Sequence, residues 1–286
     1  MTAPLKVLVV GAGGYVGRRL VRHLQLLSSS STEPFEVVAA VRPGSRTVAG
    51  AVPVADASAL DRLVGEAEPF RVVCLPQLTG NHVDWLVDRV DGPRWLVFSS
   101  AQLAAHTAAP GTEVALARQA RAVGRGAAVL APTMIFGGGQ DENISRIVRS
   151  MRSTHIPTFA GDGSQLVQPI HVDDICSLVA AHLWAEVGAG VYPVGGSEAL
   201  PVSELIGSIA ELLGVRTPAL GLPLAALRAG ARFASVVGLR PDQVLRLIED
   251  KIVDDTLTRA AFGWEPKPLA HRLEQAVREV DLLVDR

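Results

Sequence analysis

Glycines recur at every third position directly after a short apolar run near the amino terminus. The run is VLVV, residues 7–10, and Gly11, Gly14 and Gly17 follow it with Gly13 between them. A chain that turns sharply off a strand, lets a phosphate touch its backbone and packs the next helix closely has no room for Cβ atoms at these positions. The helix that follows would direct its free amino-terminal N–H groups at the phosphates. The spacing predicts a dinucleotide site, with a glycine-rich turn that has lost its ligand as the alternative. We assign to this site Gly11, Gly13, Gly14, Tyr15, Val16 and Gly17.

The end of the second apolar run bears on which dinucleotide is bound. In an NAD site, an acidic residue at this position accepts hydrogen bonds from the ribose hydroxyls. Here the sequence is AAVRPGSR, with Arg42 at the end of the run and Arg46 four residues later. Because a guanidinium suits a 2′-phosphate, the sequence favours NADP(H) over NAD(H). The alternative is that both arginines are ordinary surface charges. We also assign Gln77, after the run RVVCLP, to the cofactor site.

The elements that must position these residues alternate between apolar runs and amphipathic segments. Continuous apolar runs are typical of a parallel sheet covered on both faces, and repeated βα units of this length predict a doubly wound α/β sheet. The predicted strands are 6–10, 36–41, 71–75, 95–99, 127–130 and 191–194. The predicted helices are 15–27, 57–66, 81–90, 112–123, 144–152 and 173–185, and helical patterns dominate from Ser197 onward.

Composition narrows the classes of protein. The 286 residues carry a net charge of −2, which does not favour nucleic-acid binding. Cys74 and Cys176 lie in apolar runs and are expected to be buried reduced thiols. We find no secretion signal and no apolar run long enough to span a bilayer, so we expect a cytoplasmic protein. The apolar segment 222–237 is expected to pack on its own domain rather than on a membrane. The Ala, Arg and Gly bias suggests a bacterial source.

Several ordered segments then show a family resemblance. VVGAGGYVGRRLV, VFSSAQL, VLAPTMIFGGG, QPIHVDDI and EDKIVDDTLTRAAFGWEPKPL resemble successive motifs of the extended short-chain dehydrogenase/reductase superfamily, specifically the NAD-dependent epimerase/dehydratase family. The resemblance implies a Rossmann core at residues 1–136 and 166–196. It also implies a smaller, mainly helical substrate lobe at residues 137–165 and 197–286. The family's substrates are often nucleotide sugars, and members of this fold often dimerise through two helices, which allows a homodimer.

One departure from the family concerns its proton relay. The resemblance implies a Tyr-x-x-x-Lys pair on the helix after the fifth strand, but that helix reads GTEVALARQARAV, with Val114 in the tyrosine place and Arg118 in the lysine place. No Tyr or Lys occurs between residues 16 and 191, so no other register restores the pair. The arginine and tyrosine of the family's RPxxxYG segment are replaced by Ala131 and Phe136. The chain therefore resembles an atypical member of the family.

Four residues remain as candidates for chemistry. Ser100 matches the family's catalytic Ser/Thr place, with a loop-capping hydroxyl as the alternative. His106, in the loop after it, is the best-placed titratable group for a substitute acid or base, although most loop histidines are simply exposed. Asp141 is a candidate general base, with helix capping as the alternative. Arg118 keeps the charge to bind the nicotinamide ribose but cannot act as a base, and its alternative is a solvated helix charge.

Two functions remain open from the sequence. The first is an NADP(H)-dependent enzyme that reduces, oxidises or epimerises a hydroxyl or carbonyl centre of a small molecule without the Tyr/Lys relay. The second keeps the fold without redox turnover, as a lyase, isomerase or cyclase of a biosynthetic pathway or as a nucleotide-sensing or assembly protein.

Other polar residues are not assigned to chemistry. We interpret His171 as structural and Asp173 as a helix cap. The spacing of histidines and carboxylates predicts no metal site, and no GxSxG elbow supports a hydrolase.

Overall fold

The computed structural model describes residues 4–45, 48–80, 83–105, 111–223, 225 and 249–284. The strands are β1 (Leu5–Val10), β2 (Phe35–Val41), β3 (Val52–Pro53), β4 (Arg71–Cys74), β5 (Trp95–Phe98), β6 (Ala128–Pro132), β7 (Ile135–Phe136), β8 (Thr158–Ala160), β9 (Leu166–Val167), β10 (Ile170–His171), β11 (Gly190–Val194), β12 (Leu200–Pro201) and β13 (Leu220–Leu222). The helices are α1 (Tyr15–Ser30), α2 (Ala57–Ala67), α3 (Asp84–Val87), α4 (Gln102–Ala105), α5 (Thr112–Gly124), α6 (Ile144–Thr154), α7 (Val172–Trp184), α8 (Val202–Leu212), α9 (Thr256–Phe262) and α10 (Leu269–Val284).

The chain divides into two compact units. The first consists of residues 1–132, 172–194 and 254–265, and the second of residues 133–171, 195–253 and 266–286. The short segment 254–265 belongs to the first unit although both of its flanking segments belong to the second. The predicted domain boundaries remain a prediction.

A seven-stranded parallel sheet forms the centre of the first unit. Its strand order is β11-β6-β5-β4-β1-β2-β3, and every neighbouring pair is parallel. The order 3-2-1-4-5-6 is that of the doubly wound dinucleotide-binding fold, and β11 extends it by one strand. Leu8, Val72 and Leu96 of the inner strands are fully buried, as a sheet covered on both faces requires. The predicted α/β fold class is confirmed.

The predicted helix over residues 81–90 is much shorter in the structure. Helix α3 covers Asp84–Val87, while residues 81 and 82 lie outside the described part of the chain. The apolar residues Leu86, Val87 and Val90 gave the segment a helical pattern, but a turn at Asp88–Arg89 ends the helix early. Strand β3, an edge strand paired with β2, was not predicted because two residues are too short to show a period.

The second unit is built from α6, α8 and α10 with short two-stranded ladders. Strand β7 pairs with β10 and β8 with β13 in parallel, and β9 pairs with β12 in antiparallel fashion. Its core comes from apolar residues at helical spacing, which each helix turns toward the others. These residues include Ile144, Val148 and Met151 of α6, Leu205, Ile206 and Ile209 of α8, and Leu273, Val277 and Val280 of α10.

Several remaining expectations concern cysteines and membranes. Cys74 and Cys176 are buried and form no disulfide in the structure, as expected. Burial raises the pKa of the Cys74 thiol to about 12, so it stays protonated at neutral pH. Of the helices that the structure describes, none is long and apolar enough to cross a bilayer. Most of the apolar segment 222–237 lies outside the described residues, and so do residues 241–248 of the region where helical patterns dominate.

Candidate functional site

The glycine turn connects β1 to α1 at the carboxyl end of the parallel strands. Gly11 has a φ of +86°, which favours glycine, and its amide donates to the Ala40 carbonyl over 3.0 Å. A Cβ on Gly17 would lie 2.4 Å from the Gly11 oxygen and 2.8 Å from the Ala12 Cα. Close packing of α1 on the turn therefore requires glycine at position 17.

The start of α1 is arranged to receive an anion. The helix begins at Tyr15 directly after Gly14, and the first N–H groups of any helix lack carbonyl partners within it. None of the residues in the first turn of this fully described helix is acidic, so no carboxylate of the turn competes for those groups. The structure thus brings the six predicted residues of the glycine turn together at one helix terminus, where a pyrophosphate fits.

Arg42 follows β2 immediately and its side chain is exposed. Its carbonyl accepts hydrogen bonds from the amide and the hydroxyl of Ser45, at 3.0 and 2.6 Å, so the backbone turns away from the sheet at this point. Arg46 lies outside the described residues. The position of Arg42 at the end of β2 is the one the sequence predicts, and its role in binding stays a prediction.

The loop after β4 packs against the glycine turn. The amide of Leu75 donates to the Val10 carbonyl over 3.0 Å, and a Cβ on Gly11 would lie 3.1 Å from the Pro76 ring. Gln77 is exposed on this loop, and its carbonyl accepts from the Gly80 amide over 2.9 Å. Gln77 therefore lies at the same edge of the sheet as the glycine turn, although its side chain's role is untested.

Ser100 lies just beyond the carboxyl end of β5. Its hydroxyl accepts a 3.3 Å hydrogen bond from the Gln102 amide, which is the loop-capping arrangement named above as the alternative. The neighbouring Ser99 hydroxyl donates to the Gln119 side-chain oxygen over 2.6 Å, which ties the strand end to α5. Ser100 is half-buried at the edge where this fold binds ligands. His106 lies outside the described residues.

Arg118 is a buried charge that is bonded to Asp84 and to the loop after β4. It is 8% exposed, and its guanidinium donates to both Asp84 carboxylate oxygens at 3.1 and 2.5 Å. Nη1 donates to the carbonyls of Leu78 and Gly80 at 2.7 and 2.9 Å. The alternative that Arg118 is a solvated helix charge is wrong, because its side chain is buried under the loop that follows β4. A ribose contact stays a prediction, and it would require Arg118 to share donors already used by the loop.

The neighbouring positions do not restore a proton relay. Val114, in the family's tyrosine place, is 51% exposed. Tyr192 donates its hydroxyl to the Gly188 carbonyl over 2.9 Å, and its ring packs edge-on against Phe262 with centroids 5.2 Å apart. The Tyr192 side chain is thus committed to packing on α9.

Asp141, in the second unit, makes the capping contacts that were named above as the alternative. It is 4% exposed, and its carboxylate accepts from the amides of Gly137, Asn143 and Ser145 at 3.1, 2.9 and 3.1 Å. The Ser145 hydroxyl also donates to it. Both oxygens therefore fasten the loop before α6 to the start of that helix. The role of general base stays a prediction, and a proton on either oxygen would compete with the donors bonded there.

The structural interpretation of His171 agrees with its surroundings in the second unit. It is 1% exposed, and its ring packs edge-on against Phe136 at 5.1 Å between centroids. Nε2 lies 3.6 Å from a carboxylate oxygen of Glu279. The amide of Gly138 donates to that same carboxylate, so the histidine packs among groups that anchor a glycine loop.

Asp173, in the first unit, differs from the expectation of a helix cap. It lies inside the first turn of α7, and its carboxylate accepts hydrogen bonds from Nε and Nη2 of Arg19 on α1, at 2.5 and 2.9 Å. Its carboxylate joins two neighbouring helices. The pKa of the nearby His23 is lowered, mainly by burial. Asp173 raises this pKa and Arg19 lowers it, each with a smaller effect.

Sequence reasoning missed Arg18. Its Nη1 donates to the Gly13 carbonyl over 2.8 Å, so the side chain folds back onto the glycine turn. A helical arginine leans toward the amino terminus of its helix, and position 18 is one turn from the glycines. That geometric preference is the signal that would have identified it.

Comparisons with known proteins identify the fold. No protein-family model matches the sequence, and no curated protein matches it either. The UDP-glucose 4-epimerase of Thermotoga maritima, solved with UDP-glucose, has a TM-score of 0.74 at 16% identity over 98% of this chain and 100% of that one. The dTDP-glucose 4,6-dehydratase of Bacillus anthracis, solved with NAD, has a TM-score of 0.73 at 15% identity over 97% of each chain. The UDP-glucuronic acid 4-epimerase of Bacillus cereus, solved with NAD, has a TM-score of 0.72 at 16% identity over 98% of this chain and 99% of that one. The chain therefore shares, over nearly its whole length, the fold of structures of nucleotide-sugar epimerases and dehydratases.

Proposed function

We propose that this protein binds NADP(H) at the carboxyl edge of its seven-stranded sheet and acts on a hydroxyl or carbonyl centre of a small molecule. The observation that carries the proposal is the glycine turn. A Cβ added at Gly17 would lie only 2.4 Å from the Gly11 oxygen, so α1 packs against the turn at a distance that only glycine permits. That cradle fits a pyrophosphate, whose charge the helix terminus stabilises.

The preference for NADP(H) rests on the end of β2. Arg42 is exposed directly after this strand, where a site for NAD would have an acidic residue. Two of the similar structures named above contain NAD, so the proposed preference for NADP(H) rests on the residues of this chain alone. A guanidinium at this position would pair with the 2′-phosphate and would leave NAD without a partner for its ribose hydroxyls.

The residues around the cofactor would mainly orient it. A bound nicotinamide supplies or accepts a hydride. The amides at the start of α1 would hold the pyrophosphate, and the hydroxyl of Ser100 would lie at the end of β5 near the reacting centre. We assign substrate binding to the predicted lobe, residues 137–165 and 197–286. A nucleotide sugar is one substrate class to test, because the structures with this fold are enzymes of such sugars.

Arg118 favours a second candidate function without redox turnover. Its guanidinium is committed to Asp84 and to two loop carbonyls, and Val114 is exposed where the family resemblance would place a tyrosine. A protein without the Tyr/Lys pair lacks the residues that the family would use to move the substrate proton. A nucleotide sensor would retain the dinucleotide fold without moving a proton, and a lyase, isomerase or cyclase would retain it with a different acid or base.

A calorimetric titration tests the proposal. Purified protein is titrated with NADPH, NADP+, NADH and NAD+, and the Arg42→Asp variant is titrated beside it. The proposal expects NADPH and NADP+ to bind more tightly than their counterparts, and the variant to lose that preference. Binding to none of the four would refute it. If NADPH binds, its absorbance is followed with carbonyl compounds and nucleotide sugars, and oxidation of NADPH separates the redox enzyme from the second candidate.

A further inference from the structure

Three arginines lie near the start of α1, and each has a different environment. Arg19 is paired with Asp173, Arg22 is exposed, and Arg18 folds back onto the glycine turn. We propose that Arg18 is a second specificity-determining residue, which binds the 2′-phosphate of NADP(H) from the helix side while Arg42 approaches it from the strand side. This inference rests on the proposed dinucleotide binding.

The glycine turn links Arg18 to the end of β2. Nη1 of Arg18 donates to the carbonyl of Gly13, which is buried in the turn. The amides of Gly11 and Ala12 both donate to the carbonyl of Ala40, at 3.0 Å each. Ala40 precedes Arg42 by two residues, so the turn that holds the Arg18 guanidinium is itself bonded to the end of the strand that carries Arg42.

The direction of Arg18 around α1 favours the side of β2. Arg19 faces α7 through its bidentate pair with Asp173, and successive residues of a helix are rotated by about 100°. Arg18 therefore projects about 100° away from the flank that α7 covers, and Arg22, one turn later, points between these two directions.

The position of α7 shows which strand that flank faces. Arg71, at the start of β4, donates to the carbonyls of His182 and Ala185 at the carboxyl end of α7, at 3.4 and 3.3 Å. In the sheet, β4 and β2 lie on opposite sides of β1. The side of α1 that carries Arg18 is therefore turned away from β4, and the 2′-phosphate of a dinucleotide lies on the β2 side of β1 in this fold.

The charges around α1 point the same way. The first turn of α1, which is described in full, contains no acidic residue. A cation near a helix amino terminus is disfavoured by the helix dipole. A dianionic phosphate bound between Arg18 and Arg42 would offset that repulsion, and two guanidinium groups suit its oxygens.

The test compares two ligands that differ only in the 2′-phosphate, ADP-ribose 2′-phosphate and ADP-ribose. Each is titrated by calorimetry into the wild-type protein, the Arg18→Gln variant and the matched Arg22→Gln control. We expect Arg18→Gln to weaken binding of the 2′-phosphorylated ligand by about tenfold or more, the size of a lost charge-assisted contact. The affinity for ADP-ribose should stay within about twofold, which also shows that the variant is folded. Arg22→Gln should change neither affinity.

Three results would overturn the role of Arg18. Equal weakening of both ligands would assign Arg18 to the pyrophosphate, and no weakening would remove it from the site. An equal effect of Arg22→Gln would reduce the contribution to general surface charge. If the wild-type protein binds neither ligand, dinucleotide binding itself fails, and that outcome is distinct from the other three. Arg18→Lys, which keeps the charge, should retain more affinity for the 2′-phosphorylated ligand than Arg18→Gln.

Discussion

Replacing Arg118 by Met tests how the loop beside the glycine turn is held. The substitution keeps the length of the side chain but removes two charged donors to the carbonyls of Leu78 and Gly80 and the bidentate pair with Asp84. Hydrogen bonds from a charged group contribute about 1.5–3 kcal/mol each to the free energy of unfolding. The ion pair with Asp84 contributes little, because the Asp84 carboxylate is exposed. We therefore expect the free energy of unfolding to fall by about 3 kcal/mol.

Arg121 provides the matched control. It donates to the same Asp84 carboxylate at 2.8 Å, but its side chain is 43% exposed and it reaches no loop carbonyl in the described structure. Exposed pairs of this kind contribute about 0–1 kcal/mol. Arg121→Met also removes an exposed 3.4 Å ion pair with Asp88, and it should lower the free energy of unfolding by less than about 1 kcal/mol.

Urea unfolding followed by circular dichroism and tryptophan fluorescence measures both variants. The difference between wild type and Arg118→Met should persist from neutral pH down to about pH 4. Hydrogen bonds from Arg118 and then Arg121 lower the pKa of Asp84 from 3.8 to about 2, so the stabilising ion pair is lost only as the pH falls toward that value. Equal effects of the two variants would refute the reasoning that the buried carbonyl contacts, rather than the carboxylate, hold the loop.

Three further predictions concern buried groups. Burial, with a smaller effect of Arg71, lowers the pKa of His182 from 6.5 to about 4. As the pH falls, the histidine is protonated in the unfolded chain before it is protonated in the folded protein. The free energy of unfolding should therefore fall by up to about 3 kcal/mol from pH 7 to pH 4. Since neither His182 nitrogen has a partner in the described structure, urea titrations of His182→Leu should show a smaller loss over that range. Gly137→Ala should lower the melting temperature, because its Cβ would lie 2.1 Å from His171 Nε2 at a φ of +103°. In Asp141→Asn, the side-chain N–H₂ would face the backbone N–H donors of Gly137 and Ser145 in the second unit. Chemical unfolding should therefore show a free energy of unfolding lower by about 1–3 kcal/mol, with the nucleotide affinity unchanged.

The central sheet could be predicted from the sequence because its signal is local. The run KVLVV predicts a strand over 6–10, and the structure has Leu5–Val10; RVVCL predicts 71–75, and the structure has Arg71–Cys74. Continuous apolar residues and flanking glycines carry this information without knowledge of distant contacts. The glycine turn was predictable for the same reason, since its demands fall on seven consecutive residues.

The environments of charged residues depend on contacts far apart in the chain. Arg118 meets Asp84 and Gly80 across more than thirty residues, so the pattern of α5 alone left a ribose ligand and a surface charge as the choices. Asp141 was ambiguous because a carboxylate before a helix suits both a base and a cap, and the capping contacts are visible only through the amides of Gly137 and Ser145. Such partners are set by loop conformation, which has no period to read.

The most direct test of the account is a calorimetric titration of NADPH into the wild-type protein and the Gly17→Ala variant. A methyl group at position 17 meets backbone at 2.4 Å, so α1 must move away from the turn and its N–H groups must leave the pyrophosphate. The account predicts that the wild-type protein binds NADPH and that the variant, folded by circular dichroism, loses most of that affinity. A wild-type protein that does not bind NADPH, or a variant that binds it equally well, would contradict the claim that this glycine turn is a working dinucleotide site.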